Sequence, residues 1–308
     1  MKKISFIIPA FNEQGNIEEL YNQICFNITN LERFNFEFLF VENGSTDNTL
    51  SIIKKIQKKD PRIKYVKLSR NFQMDGGIAA GLNFVDADAA IIMTANLQDD
   101  PKVIPRFISK WEDGYDHVYG IVKSRPGKSI IRKINSKIFY KLINKMTNNL
   151  VPIGVSDYRI IDRKVINSVK LLTEHNRFYR GFFSWVGFNS TGIEFERQSR
   201  FSGTSHAKTF PVLNFALRGI FSFSAKPLRL SVFLTLITSI VSIFILIQQT
   251  YLWLSKGVPF DGFGTLTGIL LLFFSLLFLI ISIIGEYLSL IYEETKSRPH
   301  FIIDETNF

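Results

Sequence analysis

Short apolar runs alternate with amphipathic segments through the first third of the chain. The runs are rich in Ile, Phe and Val and predict buried strands, while the segments repeat apolar residues every three or four positions and predict helices. Strands separated by helices indicate an α/β domain with a mostly parallel sheet and helices on both faces. The predicted strands are residues 4–11, 36–43, 63–69 and 89–95, and the predicted helices are residues 16–31, 49–59 and 76–85.

Polar residues cluster where the predicted strands end. The four segments are PAFNE (9–13), ENGSTD (42–47), SRNFQ (69–73) and TANLQDD (94–100). Ligands of parallel α/β sheets bind in the crevice at the carboxyl ends of the strands, so these segments predict a binding site. Residues 43–47 have an alternative interpretation as a simple turn with a helix cap, because Asn, Gly, Ser and Asp favour both structures.

Two long apolar runs lie near the C-terminus. Residues 230–255 and 262–285 contain no charged side chain. A helix needs about 20 apolar residues to cross the hydrocarbon core, so each run predicts a membrane-spanning helix. Basic residues flank the outer ends of the two runs, whereas the connecting loop holds only Lys256 and Asp261. The positive-inside rule therefore predicts that both ends are cytoplasmic. The flanking residues are Arg218, Lys226, Arg229, Lys296 and Arg298.

The formal net charge of +10 predicts an anionic partner, either nucleic acid, a lipid surface or a phosphorylated substrate. The two apolar runs favour lipid and disfavour nucleic acid. Residues 128–146 predict a basic amphipathic helix and residues 210–228 predict a second interfacial helix, and an ordinary surface helix remains the alternative for both. Cys25 is the one cysteine in the sequence, so an intrachain disulfide cannot form.

Nine short motifs follow one another along the chain. They are SFIIPAFNE (5–13), FVENGSTDNT (40–49), LSRNF (68–72), NLQDDP (96–101), VYG (118–120), SDYRIIDR (156–163), RFYRGFFSWVGF (177–188), ERQSRFSGTS (196–205) and FSAKPLRLS (223–231). In this order they resemble the family-2 inverting glycosyltransferases with a GT-A fold. The most similar branch transfers sugars to polyprenyl phosphate and includes the bactoprenol glucosyltransferases and dolichol-phosphate mannosyltransferase. The resemblance extends from Ile4 to about Tyr292.

The resemblance implies a domain organisation and a reaction. A Rossmann-like GT-A domain is expected over residues 1–209, an interfacial helix over 210–228, two membrane helices over 229–292 and a cytoplasmic tail over 293–308. The expected reaction is inverting transfer of a hexose or N-acetylhexosamine, with glucose or N-acetylglucosamine favoured, from a nucleotide-sugar to undecaprenyl or another polyprenyl phosphate. A UDP-linked donor, the cytoplasmic membrane face and a homo-oligomer such as a tetramer are also expected.

The resemblance also assigns expected roles to individual residues. In the family, segments matching Arg200 to Ser205, around Gly203, cover the donor diphosphate, and this chain has His206 where many relatives have Lys. The expected catalytic residues are Asp157, Arg159 and Asp99, and the expected acceptor-binding residues are Arg177 and Arg180. The expected donor-binding residues are Pro9, Ala10, Phe11, Asn12, Glu13, Glu42, Asn43, Ser45, Arg70, Asn96, Arg200 and Ser205. For Asp157, a structural ion pair with a neighbouring Arg remains the alternative.

The main departure from the family follows the fourth predicted strand. The family's Asp-Ala-Asp motif, which holds Mg²⁺ or Mn²⁺ against the diphosphate, is replaced here by Thr94-Ala95-Asn96. Hard cations prefer anionic oxygen ligands, and two such ligands are missing. Three hypotheses remain open. The metal is held by Asn96, Gln98 and Asp99; or Lys and Arg offset the diphosphate charge without a metal; or the chain is a non-catalytic membrane partner of an active enzyme.

Overall fold

The computed structural model describes residues 1–124, 144, 150–198, 223–257 and 262–308. Within these residues eight strands form one sheet, and helices cover both of its faces. The strands are β1 (Lys2–Ala10), β2 (Phe34–Glu42), β3 (Ile63–Leu68), β4 (Ala89–Ile92), β5 (His117–Ser124), β6 (Val155–Asp162), β7 (Ser190–Glu196) and β8 (Ile303–Thr306). The helices are α1 (Ile17–Ile28), α2 (Thr49–Gln57), α3 (Gln73–Phe84), α4 (Ile104–Glu112), α5 (Arg163–Lys170), α6 (Tyr179–Trp185), α7 (Lys226–Lys256) and α8 (Phe263–Thr295).

The strand order is β7-β5-β6-β4-β1-β2-β3-β8. The central strands β4, β1, β2 and β3 run parallel, which confirms the predicted α/β class. The chain adds β2 and β3 on one side of β1 and then returns to add β4 on the other side, so a topological switch point lies between β1 and β4. Strand β6 is antiparallel to β4, and its first residues therefore lie at the same sheet edge as the carboxyl end of β4.

The hydrophobic core lies on both faces of β1. Ile4, Phe6 and Ile8 pack in a cluster with residues of α1 and α4, while Ile7 on the opposite face packs in a cluster with residues of α3 and α6. Helix α3 approaches β1 closely because it has Gly81 at the contact: a Cβ atom there would lie 2.2 Å from Ile7 Cγ2. Burial on both faces explains why β1 is a nearly continuous apolar run.

The end of the chain adds a strand that the sequence did not predict. Strand β8 pairs antiparallel with β3 at the edge of the sheet, so part of the expected tail 293–308 belongs to the folded domain. The Lys54 ammonium lies 2.7 Å from the Glu305 carboxylate, and the Tyr65 hydroxyl donates to the same carboxylate at 2.5 Å. The short strand has little apolar patterning, and this explains why it escaped prediction.

Helices α7 and α8 correspond to the two predicted apolar runs. They contain 31 and 33 residues, which is about 46 and 50 Å at 1.5 Å per residue and exceeds the roughly 30 Å hydrocarbon core of a bilayer. Only 6% of the apolar stretch of α7 is buried within the protein, and 0% of the apolar stretch of α8. Exposed apolar surface on this scale marks a membrane or protein contact. By length and composition, both helices can span a membrane.

Both outer ends of this helical pair contact the α/β domain. Before α7, the Phe223 ring lies 6.0 Å from Phe178 and 5.8 Å from Phe182, measured between centroids. Near the end of α8, the Glu294 carboxylate accepts a hydrogen bond of 2.7 Å from the His175 backbone N–H. The chain therefore leaves and re-enters the domain on the same side. The predicted interfacial segments 128–146 and 210–228 lie mostly outside the described residues.

Candidate active site

The loops after β1 and β2 bind each other through side chains expected to contact the donor. Asn12 adopts a left-handed backbone conformation with φ of 54°. Its backbone N–H donates to Ser45 Oγ at 3.0 Å, and its side-chain oxygen accepts from the Thr46 N–H at 2.8 Å. The Glu13 N–H donates to Thr49 Oγ1 at 2.9 Å. These bonds bring the ends of β1 and β2 together as the strand-end argument predicted, and Pro9, Ala10 and Phe11 lie immediately before them.

Glu42 and Asn43 are buried at the end of β2. The Glu42 carboxylate accepts from the Ser45 N–H at 2.5 Å. The Asn43 amide donates to the Gln73 carbonyl at 2.7 Å, and its oxygen accepts from the Phe72 N–H at 2.9 Å. Asn43 therefore links β2 to the start of α3. These contacts stabilise the loop after β2, and the expected donor-binding role of Glu42 and Asn43 stays a prediction.

Arg70 lies beside this loop at the end of β3. Gly44 has φ of 71°, and a Cβ atom there would lie 2.4 Å from the Arg70 carbonyl carbon. Only glycine accepts both the left-handed conformation and the close backbone approach. The exposed Arg70 guanidinium lies 4.0 Å from the centroid of the Phe72 ring. The structure therefore places Arg70 next to the other expected donor-binding residues.

The loop after β4 contains the departure from the family motif. The Thr94 hydroxyl lies within hydrogen-bond distance of two oxygens, Asn96 Oδ1 at 2.9 Å and Asp99 Oδ2 at 2.6 Å. The Thr94 N–H also donates to Asp99 Oδ2 at 3.1 Å, and the Gln98 N–H donates to Asn96 Oδ1 at 3.1 Å. Asp99 is only 1% exposed. Most of the oxygen ligands expected for a metal are therefore already hydrogen-bonded within the loop.

Arg197, the residue after β7, places a cation beside the same loop. Arg197 Nη2 lies 3.4 Å from Asp99 Oδ1, and the Gln198 N–H donates to the Gln98 carbonyl at 3.2 Å. Within the described residues, no group of three or more His, Cys, Asp and Glu side chains is placed to hold a metal. Neutral Asn96 and Gln98, with one ion-paired carboxylate, do not fit the anionic oxygen shell that a hard divalent cation prefers.

Asp157 lies at the start of β6, at the same edge of the sheet. Both oxygens are held by Arg180, with Nε donating to Oδ1 at 2.8 Å and Nη2 donating to Oδ2 at 2.6 Å. Burial alone would raise the pKa of Asp157, but attraction and hydrogen bonds from Arg180, with smaller contributions from Arg159 and Arg197, lower it to about 2. The predicted ion pair with a neighbouring arginine is therefore present, and Asp157 is an anion at neutral pH.

Arg159 lies beneath Asp157 and is only 1% exposed. Its guanidinium donates to the Ser156 carbonyl at 2.6 Å and to the Asp157 carbonyl at 3.2 Å, and it lies 4.5 Å from the Phe183 ring centroid. Burial lowers the Arg159 pKa to about 10. Arg159 therefore holds the backbone at Ser156 and Asp157 in place. The catalytic role that the resemblance implies for Arg159 stays a prediction.

His117 is a residue of this network that the sequence did not indicate. Its Nε2 lies 3.3 Å from Arg159 Nη1. Burial, and then the charge of Arg159, lower the His117 pKa well below its usual range, so the ring is neutral and can accept from the guanidinium. A lone histidine at the start of a strand carries no pattern that would have predicted this contact.

Arg177 has partners different from those of Arg180. Its Nη1 donates to the Tyr179 hydroxyl at 2.6 Å. Burial, followed by the charges of Arg177 and His175, lowers the pKa of nearby His300 to about 4. Arg177 thus lies where the chain after α8 returns to the domain, whereas Arg180 binds Asp157. The expected donor residues Arg200 and Ser205, with Gly203 and His206, lie outside the described residues.

Comparisons with known proteins agree with the motif pattern. A family model described as "Glycosyl transferase family 2" matches residues 5–169. An uncharacterized glycosyltransferase of Synechocystis sp. is 36% identical, over 98% of this chain and 95% of its own length. A bactoprenol glucosyl transferase of Shigella phage SfX is 34% identical, over 98% of each chain. Glucosyl-3-phosphoglycerate synthase from Mycobacterium tuberculosis, solved with Mn²⁺ and UDP-glucose, is 15% identical with a TM-score of 0.48, over 71% of this chain and 78% of that one.

Proposed function

Because the chain belongs to glycosyltransferase family 2, we propose that it moves a glucosyl or N-acetylglucosaminyl group from a UDP-sugar to polyprenyl phosphate, with inversion at the anomeric carbon. The observation that carries this proposal is the position of the Asp157–Arg180 pair. It lies at the sheet edge that carries the expected donor loops, in the domain that contacts both outer ends of the α7–α8 pair. The bactoprenol glucosyl transferases that match along almost their whole length support glucose and a polyprenyl acceptor.

The donor is proposed to lie along the ends of β1, β2 and β4. Residues 9–13 and 42–45 would hold the base and ribose, because hydrogen bonds between and within these two loops fix their backbone. Arg70 would border the nucleoside. The diphosphate would lie towards the loop after β4, near Arg197, with Arg200 and Ser205 covering it as the family resemblance implies. A phosphate-rich ligand needs such guanidinium and hydroxyl donors.

The acceptor phosphate is proposed to meet the sugar beside Arg180. A phosphate oxygen attacks the anomeric carbon from the face opposite the UDP, the bond from that carbon to the diphosphate oxygen breaks, and its electron pair leaves with UDP. The attacking phosphate is already an anion and needs no proton removed. With a pKa of about 2, Asp157 is a weak base at neutral pH, so its role is to orient Arg180 and the acceptor. Catalysis then rests on positioning and on stabilising the charge of the departing UDP.

The membrane anchor is proposed to keep this site at the lipid headgroups. Both outer ends of the α7–α8 pair contact the catalytic domain, and the basic residues beside those ends support a cytoplasmic location by the positive-inside rule. The product would be a polyprenyl-phosphate sugar at the cytoplasmic face, destined for cell-surface glycans. Interfacial binding by residues 210–228 and assembly into a homo-oligomer remain predictions, and nucleic acid has no part in this proposal.

A non-catalytic membrane partner is the second candidate. The observation that favours it is the neutral pair Thr94 and Asn96, which replaces the two carboxylates of the family motif. Such a protein would keep the fold and nucleotide binding but would assist a related enzyme. Buried and fully bonded Asp99 is compatible with either candidate, because its contacts stabilise the loop whether or not chemistry follows.

Transfer of labelled sugar to undecaprenyl phosphate tests the proposal. Purified protein in detergent and native membranes are each supplied with a panel of UDP- and GDP-sugars, with an Asp157→Asn variant as control. Transfer from one UDP-sugar by the unmodified protein, and its loss in the variant, is the expected result. Absence of transfer from every donor, in a folded protein that still binds UDP, would establish the non-catalytic candidate instead.

A further inference from the structure

The cation that faces the loop after β4 comes from the protein itself. Arg197 follows β7 immediately, and its Nη2 lies 3.4 Å from Asp99 Oδ1. The Gln198 N–H donates to the Gln98 carbonyl at 3.2 Å, and the Gln198 side-chain amide lies 3.4 Å from an oxygen of Asp100. Three contacts therefore fix the end of β7 against this loop, so Arg197 is held in place by more than its ion pair.

Arg197 has donor capacity that its contacts do not use. Its Nε is buried and has no hydrogen-bond partner within the described residues. A guanidinium has five N–H donors in a fixed fork, so Arg197 can keep its bond to Asp99 and still present other N–H groups to an anion. A buried donor without a partner is unfavourable, and a bound anion would remove that penalty.

The position of Arg197 also relates it to the second half of the site. Its charge contributes to the low pKa of Asp157, after the larger contributions of Arg180 and Arg159. Arg197 therefore lies close enough to influence both Asp99 and Asp157. In the proposed function the departing diphosphate lies between the donor loops and Asp157, which is the region that Arg197 faces.

We propose that Arg197 supplies the positive charge that holds the donor diphosphate, so that this chain binds its nucleoside diphosphate without a divalent cation. The inference rests on the proposed function, since it assumes a nucleoside diphosphate-sugar donor. Thr94 and Asn96 remove two negative charges from the loop, and the Thr94 hydroxyl lies within hydrogen-bond distance of Asn96 Oδ1 and Asp99 Oδ2. Because the loop carries less negative charge, it repels the diphosphate less, and the Arg197 guanidinium beside Asp99 attracts it.

The test measures UDP binding to the full-length protein in detergent by calorimetry, in EDTA and after Mn²⁺ or Mg²⁺ is added. The expected dissociation constant changes less than about threefold between these conditions, because a charge-neutral ligand set gains little from the metal. Arg197→Gln should weaken UDP binding by about tenfold to a hundredfold, the range for hydrogen bonds to charged groups. Arg33→Gln is the matched control, since Arg33 forms an exposed pair with Glu112 at 2.7 Å, outside this loop.

A Thr94→Asp/Asn96→Asp double variant tests the converse. It restores two carboxylates near Asp99 and should make UDP binding at least about tenfold tighter with Mn²⁺ than in EDTA. Direct Mn²⁺ binding, followed by electron paramagnetic resonance without nucleotide, should be measurable in this variant and much weaker in the unmodified protein. Failure of the variant to gain either response would mean that the two substitutions do not set metal dependence, and the inference would be wrong.

The outcomes separate this inference from the proposed function. Tenfold weaker UDP binding by the unmodified protein in EDTA, or UDP binding by Arg197→Gln equal to that of the Arg33→Gln control, would overturn the inference alone. UDP binding that needs Arg197 but leads to no sugar transfer would leave the inference standing and overturn the enzymatic proposal. If neither UDP nor GDP binds with or without metal, both fail together.

Discussion

The ion pair between Asp157 and Arg180 makes the sharpest prediction of this structure. Asp157→Asn keeps the shape of the side chain but removes the charge that accepts both Arg180 hydrogen bonds. If the pair positions the acceptor phosphate, sugar transfer should fall by about a hundredfold, the typical effect of misplacing a reacting group by about 1 Å. UDP binding should change by less than about threefold, because both oxygens of the Asp157 carboxylate bind Arg180, which lies outside the loops after β1 and β2.

The same substitution has a stability effect that follows from the pKa. The shift from 3.8 to about 2 is nearly two pH units, and at 1.36 kcal/mol per unit this is about 2 kcal/mol in favour of the folded protein. Because the folded-state pKa of Asp157 is depressed, this stability is fully present above about pH 4. It is lost as the pH falls through about 2. At neutral pH the variant should therefore unfold about 4–8 °C below the unmodified protein.

The assay combines labelled-sugar transfer, UDP calorimetry and thermal unfolding in detergent, from pH 5 to 8. Asp116→Asn is the matched control, because Asp116 also forms an ion pair, at 2.6 Å from Lys164, but at the opposite edge of the sheet. Its transfer rate should stay within about threefold of normal. The control shows how much of any loss comes from removing an ion pair anywhere in the domain.

Two results would refute the reasoning about Asp157. Unchanged transfer by Asp157→Asn would show that the carboxylate is a structural partner of Arg180 and nothing more. A rate that rises through a pKa between 5 and 8 in the unmodified protein, and loses this dependence in the variant, would show that Asp157 acts as a base. Because the pKa of Asp157 in the folded protein is about 2, we expect no dependence of the rate on Asp157 between pH 5 and 8.

Three further predictions test the supporting structure. Arg159→Lys should destabilise the domain by about 1–3 kcal/mol in thermal unfolding, because one ammonium cannot replace all three contacts of the buried guanidinium. Normal stability with lost transfer would instead indicate direct substrate contact. Gly44→Ala should destabilise by about 1–3 kcal/mol and weaken UDP binding, since its Cβ would collide with the Arg70 backbone, and unchanged UDP affinity would contradict this. Deleting residues 299–308 should lower the unfolding temperature by exposing the edge of β3, whereas Glu305→Ala should have an effect under about 1 kcal/mol; equal effects would show that the strand adds nothing beyond its ion pairs.

Local patterns determined much of what the sequence predicted correctly. The apolar runs marked the first four strands because these strands are buried on both faces, and the amphipathic segments marked the helices that cover them. The polar residues after β1, β2, β3 and β4 lie at one edge of the sheet, as predicted, because parallel strands bring their carboxyl ends together. That this edge binds a ligand stays a prediction. Two long uncharged runs were sufficient to predict α7 and α8, because crossing a bilayer requires length and apolarity alone.

The roles of individual site residues depended on contacts that no local pattern contains. Arg159 and Arg180 both lie in motifs that resemble the family, yet Arg159 is buried against backbone carbonyls and His117, while Arg180 binds Asp157. Arg177 and Arg180 are three positions apart, yet they point to different partners. Which partner a charged side chain reaches is set by the packing of α6 against the sheet, and spacing along the chain does not report it.

The sequence by itself determined the fold class, the edge of the sheet where the polar candidate residues gather and the two apolar helices, because each depends on the order of residues within a short segment. Only the tertiary structure decided that β8 completes the sheet and that Arg197 faces Asp99. Those contacts join residues far apart in the chain, such as Lys67 with Glu305 in the β3–β8 ladder. The β3–β8 contact depends on backbone hydrogen bonds and the Arg197–Asp99 contact on an ion pair between distant residues. Neither interaction leaves a periodic pattern in the sequence.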